Sequence, residues 1–384
     1  MESKVERESE KRLRLAEVYL VPTSDGGLTL RTPRRSSILR GVLVSQVFPL
    51  MLPLLDGTRF RRDIMSELST SVDEKALRRA IDRLIEYGMI DEVEEDISDK
   101  WDPDLRGRLT PQIRFLSQYG GDSSTVARIV DSTVAVIGDG PLIPSLARDL
   151  AASGVRVLRF VTRRLINGAD VAQNGALRRS DIGTSYANAA RRLIVEGALP
   201  TTVAEVVDVP TSMLEWRTVL GGVAVAVVAT DLPVVSAPWL AELNKAALAL
   251  GVPWTIGTLL QRAVAHVGPS VIPKQTSCWK CFEHRFKSNL DATDRYEEFE
   301  TYVRDTAEYV DHGGLPGISE YVAGVVSVEA LRLITADTVD VRTAGQLLTI
   351  DLWDYTMELH PVLKLPRCSH CSPTTLIPQE RVWS

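Results

Sequence analysis

Four cysteines stand in two Cys-x-x-Cys pairs, Cys278-Trp279-Lys280-Cys281 and Cys368-Ser369-His370-Cys371, and no cysteine is left over. Two residues between thiols let both sulfurs of a knuckle reach one ion, and two knuckles complete the tetrahedral thiolate set that zinc prefers. The expected ligands are Cys278, Cys281, Cys368 and Cys371, in a closed shell without room for water, which assigns the metal to structure rather than catalysis. The pairs are separated by 86 residues, too many for a zinc finger, so the ion would pin two distant segments of one domain. The alternative is two unconnected or redox pairs, which are uncommon in a reducing compartment. In the metal reading no cysteine remains as a thioester nucleophile.

A second stretch has the spacing for phosphate chemistry. The apolar run Val134-Ala135-Val136-Ile137 is followed by Gly138-Asp139-Gly140-Pro141, a helical segment, and an alternating run from Val155 to Val161. Strand, glycine turn, helix and strand make the opening βαβ unit of a nucleotide-binding sheet, whose turn N–H groups can meet a phosphate. The G-x-G-x-x-G fingerprint keeps Gly138 and Gly140 but has Ile143 at its third glycine, where a side chain lifts the helix off the strand. The acidic residue expected after the second strand, to hold a ribose, is Thr162, followed by Arg163 and Arg164. The fold signal stands while the ligand signal fails.

The surrounding elements suit such a sheet. Ser180 to Ala187 leads into a helix over Asn188 to Gly197, a buried strand Val223 to Ala229 ends in Thr230-Asp231, Pro238 to Leu250 reads as a helix and Val252 to Ile256 as a strand. Strands alternating with helices predict an α/β, mostly parallel, doubly wound sheet. A chain of 384 residues with 45% hydrophobic and 24% charged content holds two or three globular domains. Its longest apolar run, Val223 to Ala229, is far short of a membrane span, and the charged start Met1 to Arg7 has no signal-peptide core, so a cytoplasmic protein is expected, with no membrane partner. A net charge of −6 gives no reason to expect nucleic acid.

The first hundred residues read differently. Leu13 to Val21 and Leu28 to Arg31 flank Thr23-Ser24-Asp25-Gly26-Gly27, a hairpin signal, and Ser36 to Leu39 forms a third extended run at an edge. Gly41 to Leu55 has helical spacing broken by Pro49 and Pro53, Thr58 opens a short helix to Leu68, and a third helix starts at a Ser71/Glu74 capping box, buries Leu77, Ile81, Leu84 and Ile85, and stops at Gly88. Strands followed by three helices suggest a small winged-helix unit. Its third helix carries Glu74, Lys75, Arg78, Arg79, Asp82, Arg83 and Glu86, a mixed face unlike a DNA reader. An edge strand beside such a helix can instead take a peptide as an added strand. The acidic, proline-containing stretch Asp91 to Arg106 marks a boundary, giving domains at 1–95 and 131–384 joined by a lead-in over 96–130.

The turn at Val134 to Pro141, Arg179-x-Asp181-Ile182-Gly183, Ala229-Thr230-Asp231, Gly251-Val252-Pro253, the first cysteine pair, a helix at Gly324 to Leu331, Leu347 to Asp351 and the second pair occur in an order that resembles the ThiF/MoeB type of adenylating enzymes, relatives of ubiquitin-activating enzyme. Residues 13–92, with Leu54-Leu55-Asp56-Gly57-Thr58, resemble the RiPP recognition element of ribosomal peptide biosynthesis. Together they look like the Ocin-ThiF-like, leader-peptide-binding partner of YcaO cyclodehydratases.

The resemblance implies an N-terminal recognition domain, a Rossmann-like ThiF body with a four-cysteine zinc site, and often a homodimer. It implies a non-catalytic scaffold that captures the leader of a precursor peptide of the thiazole/oxazole-modified or thiopeptide type and presents its core to a YcaO enzyme. The leader would add beside Ser36 to Leu39, with Ile38, Leu39, Leu77, Arg78 and Ile81 as contacts. The family's ATP residues carry over poorly: Pro141 and Ile143 replace two glycines, Thr162 the ribose-binding Asp, Gln173 an Arg and Tyr186 a Lys. Gly138, Gly140 and Asp231 remain, a degenerate site at which ATP is not expected, although Arg163, Arg178 or Arg179 would substitute if the register is shifted. The rival is an ATP-dependent adenylating enzyme acting on the precursor.

Overall fold

The computed structural model describes residues 11–16, 18–31, 36–41, 44, 46–93, 100–162, 164–206, 210–230, 237, 239–259, 263–306 and 313–372. The chain divides into two compact units, Met1–Arg106 and Gly107–Ser384.

In the first unit β1 (Arg12–Leu15) pairs antiparallel with β5 (Asp56–Phe60) and β6 (Ile90–Val93), in the order β5-β1-β6. A second sheet has the order β2 (Tyr19–Pro22), β3 (Leu28–Arg31), β4 (Ser36–Leu39). Helices α1 (Phe48–Met51), α2 (Arg61–Leu68) and α3 (Glu74–Glu86) close a core of Leu13, Leu30, Met51, Ile64, Leu77 and Ile81. Three local expectations change. The run Leu13 to Val21 is two strands: the ladders of β1 with β5 and β6 run on through Leu15 N–H to the Leu55 carbonyl and Ala16 N–H to the Met89 carbonyl, whereas β2 pairs with β3. Only β2 forms the hairpin with β3. Thr58 lies in β5, whose pairing with β1 delays the helix to Arg61. The cap of α3 is Asp73, which accepts from Ala76 N–H at 2.9 Å, not Ser71. Its end is as read, with Gly88 in the left-handed region at φ 65°.

In the second unit α4 (Pro103–Ser117), which begins before the division, and α5 (Ser123–Val130) lead to the sheet. Its strands are β7 (Thr133–Ile137), β8 (Val157–Val161), β9 (Thr202–Val206), β10 (Val225–Thr230), β11 (Trp254–Leu259), β12 (Val264–Val267), β13 (Gln346–Asp351) and β14 (Thr356–Pro361). Among the described residues the order is β14-β13-β12-β11-β10-β7-β8-β9, parallel from β9 to β11 and antiparallel from β11 to β14. The chain leaves β7 first toward β8 and later toward β10, so the end of β7 is the switch point at which an open sheet forms a crevice.

Helices cover both faces. One face packs on α6 (Leu142–Ala152), α8 (Tyr186–Glu196) and α13 (Pro316–Ile334), the other on α9 (Met213–Leu220), α10 (Leu240–Leu250) and α11 (Trp279–Ser288). Short α7 (Gly168–Gln173) follows β8, and α12 (Thr293–Thr306) follows α11. Strand β11 has Gly257 where α13 crosses it: a Cβ there would stand 2.3 Å from Val326. Buried Glu329 ties α13 to the approach of β13, accepting from Thr343 N–H at 2.9 Å and Thr343 Oγ1 at 2.7 Å.

Candidate functional site

The turn after β7 is held by its glycines and filled from inside. Gly138 has φ 121°, and a Cβ on it would lie 2.2 Å from the Ala229 carbonyl oxygen. Gly140 has φ 114°. Its N–H, the kind of donor a phosphate needs, donates instead to the Tyr186 hydroxyl at 3.0 Å. Tyr186 is fully buried at the start of α8, where Ser185 caps the helix. Burial drives its phenol far above the usual range, so it is neutral at every physiological pH. Arg164 lies over the ring, 5.6 Å from its centroid, and forks onto buried Asp170 at 2.6 and 2.8 Å. Asp139 accepts the Arg164 N–H, and Asn174 Nδ2 donates to the Pro141 carbonyl and to Ser145 Oγ. Ile143 is fully buried in the core with Leu142 and Leu146.

Several of the residues expected to govern nucleotide binding are engaged within the fold. The bulk of Ile143 is absorbed by the core rather than held over the turn. Gln173 packs against Gly314, where a Cβ would meet its Oε1 at 2.5 Å. Arg178 pairs with Glu196 at 2.8 Å, and Arg179 is exposed. Asp181 is engaged by Arg192 at 2.6 Å; burial opposes its ionisation, but the Arg192 bonds and the Arg178 N–H hold its carboxyl below the usual range. Asp231 and Arg163 lie outside the described residues, as does the tail after Ser372.

On the first unit, β4 is an edge strand with Ile38 55% exposed and Leu39 half-buried toward the core. Arg78 is at the surface, bonded to Glu74. Leu77 and Ile81 are both 0% exposed, which corrects their expected place as ligand contacts: they anchor α3 to Leu13 and Ile64 and present no face outward.

The four cysteines converge. Cys278 caps α11, Cys281 sits in its first turn, and Cys368 and Cys371 come from the turn after β14. Sulfur separations are 3.9 Å for Cys278–Cys281 and 3.6 Å for Cys278–Cys368 and Cys281–Cys371, with all four within 4.8 Å. A zinc ion with bonds of about 2.3 Å needs tetrahedral edges of about 3.8 Å, so this set fits the metal. Burial pushes the Cys278 thiol up to about 11. Leu365 N–H donates to Cys281 Sγ at 3.4 Å.

Asn244 of α10, fully buried, joins the two knuckles. Its Oδ1 accepts from Trp279 N–H at 3.2 Å and its Nδ2 lies 2.9 Å from His370 Nδ1. Burial, with Lys245 and Lys280 nearby, holds His370 below its usual range, which suits a neutral ring accepting at Nδ1. Asn244→Ala is expected to weaken zinc binding by about 10-fold or more, measured by competition with a chromophoric chelator. Unchanged affinity would reduce Asn244 to packing. A lone Asn on an apolar helix gave no sign of this role, and neither did Tyr186, Arg164 and Asp170 of their closing the turn.

Compared with models of protein families, residues 109–372 match the ThiF family. No curated protein matches the sequence. Among solved structures, E. coli MccB with succinimide is similar over 94% of this chain and 99% of its own at 14% identity and a TM-score of 0.66. MccB with ATP gives 15% identity and a TM-score of 0.65 over 94% of this chain and 99% of its own. PaaA is similar over 91% of this chain and 99% of its own, at 18% identity and a TM-score of 0.66. At these identities the likeness is one of fold. The family match covers more than half of the sequence and takes in both cysteine pairs and the filled turn: the chain belongs to the ThiF family.

Proposed function

We propose that the chain is a non-catalytic scaffold that binds the leader of a ribosomal precursor peptide and delivers it to a separate YcaO cyclodehydratase, in a pathway to thiazole/oxazole-modified or thiopeptide-type products. Residues 1–95 act as a winged-helix RiPP recognition element, 96–130 as a lead-in, and 131–384 as the ThiF-like body, clipped by structural zinc in the cytoplasm. The observation that carries the non-catalytic reading is the Tyr186 hydroxyl on the Gly140 N–H: the donor that an adenylating enzyme aims at phosphate is used within the chain. The cation beside it, Arg164, is committed to Asp170. Peptide binding is supported by the fold shared with MccB, the microcin C7 biosynthetic enzyme solved with N-formylated MccA, and by the edge strand β4 with its outward Ile38.

The rival, an adenylating enzyme acting on a precursor peptide, draws on the same fold, since MccB was also solved with ATP. Calorimetric titration of the purified chain with ATP and Mg2+ separates the two. No saturable heat is expected. Saturable binding with pyrophosphate or phosphate release by this protein alone would overturn the scaffold reading and make the enzyme the better account.

A further inference from the structure

The four sulfurs of the cluster are not equivalent. Cys278, Cys281 and Cys368 are buried, whereas Cys371 is half-buried and open to solvent on one side. Backbone donors are distributed in the same way. Leu365 N–H donates to Cys281 Sγ at 3.4 Å, the Cys281 N–H faces Cys278, and the N–H groups of His370 and Cys371 face Cys368. Among the described residues no backbone N–H bonds to Cys371 Sγ, whose neighbour is Cys281 Sγ at 3.6 Å.

Sulfurs that share one cation are all thiolates, so acidity does not rank them. Access and the charge left on each sulfur do. An N–H bond to a ligating thiolate draws charge from it, and oxidants and alkylating reagents select the exposed thiolate. Both criteria single out Cys371.

We infer that Cys371 is the site at which a hydroperoxide modifies this protein, and that Cys281 resolves the product into a bridge between the two knuckles. The Cys371 thiolate attacks one peroxide oxygen. An S–O bond forms, the O–O bond breaks, and the other oxygen leaves as hydroxide or alkoxide and takes a proton from water. Attack by the Cys281 thiolate on the sulfenic sulfur then forms the S–S bond and expels hydroxide. Two electrons have passed from the sulfur pair to the peroxide, and no further oxidant is required. The chain has no cysteine outside the set, so the cluster supplies its own resolving thiol.

The direction of the bridge has a consequence for the fold. A bond inside a knuckle would leave α11 untied from the turn after β14. A Cys281–Cys371 bond joins positions 90 apart in sequence and keeps the two segments together, although Cys278 and Cys368 alone no longer hold a metal tightly. Oxidation thereby exchanges an ionic clip for a covalent one.

Two measurements on the full, zinc-loaded chain test this. With N-ethylmaleimide below one equivalent and peptide mass spectrometry as readout, Cys371 should label about tenfold or more faster than each of the other three. First labelling at another cysteine, or equal labelling of all four, overturns the assignment. With hydrogen peroxide, zinc release to a chromophoric chelator should follow the loss of thiols, the non-reducing peptide map should join Cys281 to Cys371, and dithiothreitol should restore zinc binding. Bridges confined to Cys278–Cys281 and Cys368–Cys371 overturn the inference, as does a chain that keeps its zinc and its thiols. The bridged chain should also melt closer to the zinc-loaded form than to the reduced, chelated one. None of these readouts uses a leader peptide or ATP, so failure here is distinct from failure of the scaffold reading.

Discussion

Cys281→Ser is expected to abolish tight zinc binding and to lower the melting temperature of the zinc-loaded chain by about 10 °C or more. Zinc bound by four thiolates stabilises small domains by roughly 10–16 kcal/mol, and even a third of that is large against ordinary domain stability. The effect should be global because the cluster is built into the core: Cys278, Trp279, Cys281 and Cys368 pack with Trp216, Trp254 and Ile137 on one face of the sheet. The loss is that of a clip between the Cys278–Cys281 and Cys368–Cys371 knuckles. Inductively coupled plasma analysis should find one zinc per wild-type chain, and calorimetry the lower transition in the variant. Full stability in the variant, or a wild type that folds equally well after chelation, would remove the metal from the structural account.

Ile38→Glu should weaken binding of the cognate leader by about 10-fold or more, read by fluorescence anisotropy with a labelled leader peptide. An isoleucine buried on binding contributes up to about 1.5–3 kcal/mol, and each 1.4 kcal/mol is about tenfold in affinity. Ile38 is more than half exposed, so the fold should tolerate the charge. A charged side chain on an edge strand also discourages the addition of another strand. Ile81→Glu is the wrong test, since it buries a carboxylate beside Leu13 and Leu77 and should unfold the first unit before any leader is added. Wild-type affinity in Ile38→Glu would move the leader to another edge.

The central sheet was legible where chemistry depends on short spacings. Four apolar residues and two glycines announce β7 and its turn, and two Cys-x-x-Cys pairs with no cysteine in excess announce the metal site across 86 intervening residues. What could not be read was side-chain placement set by distant packing. Tyr186 counted as a lost lysine, yet its meaning lies in a hydrogen bond to a residue 46 positions earlier. Ile143 was read as a wedge, but the core simply accommodates it. In the first unit the helical period found the buried side of α3 correctly, and that same burial is why Leu77 and Ile81 fail as surface contacts. The split between β1 and β2 follows from their different partners, β5 and β6 for the one and β3 for the other, and no local pattern encodes it.

The clip also sets an order of events in the cell. A polypeptide grows at about 5–20 residues per second, so after Cys281 leaves the synthetic machinery roughly 4–17 s pass before Cys368 follows. During that interval the nascent chain carries two thiols of a four-thiol site. Capture of a metal ion by the four cysteines would therefore be among the last steps of maturation, after most of the strands on which the site closes have been made.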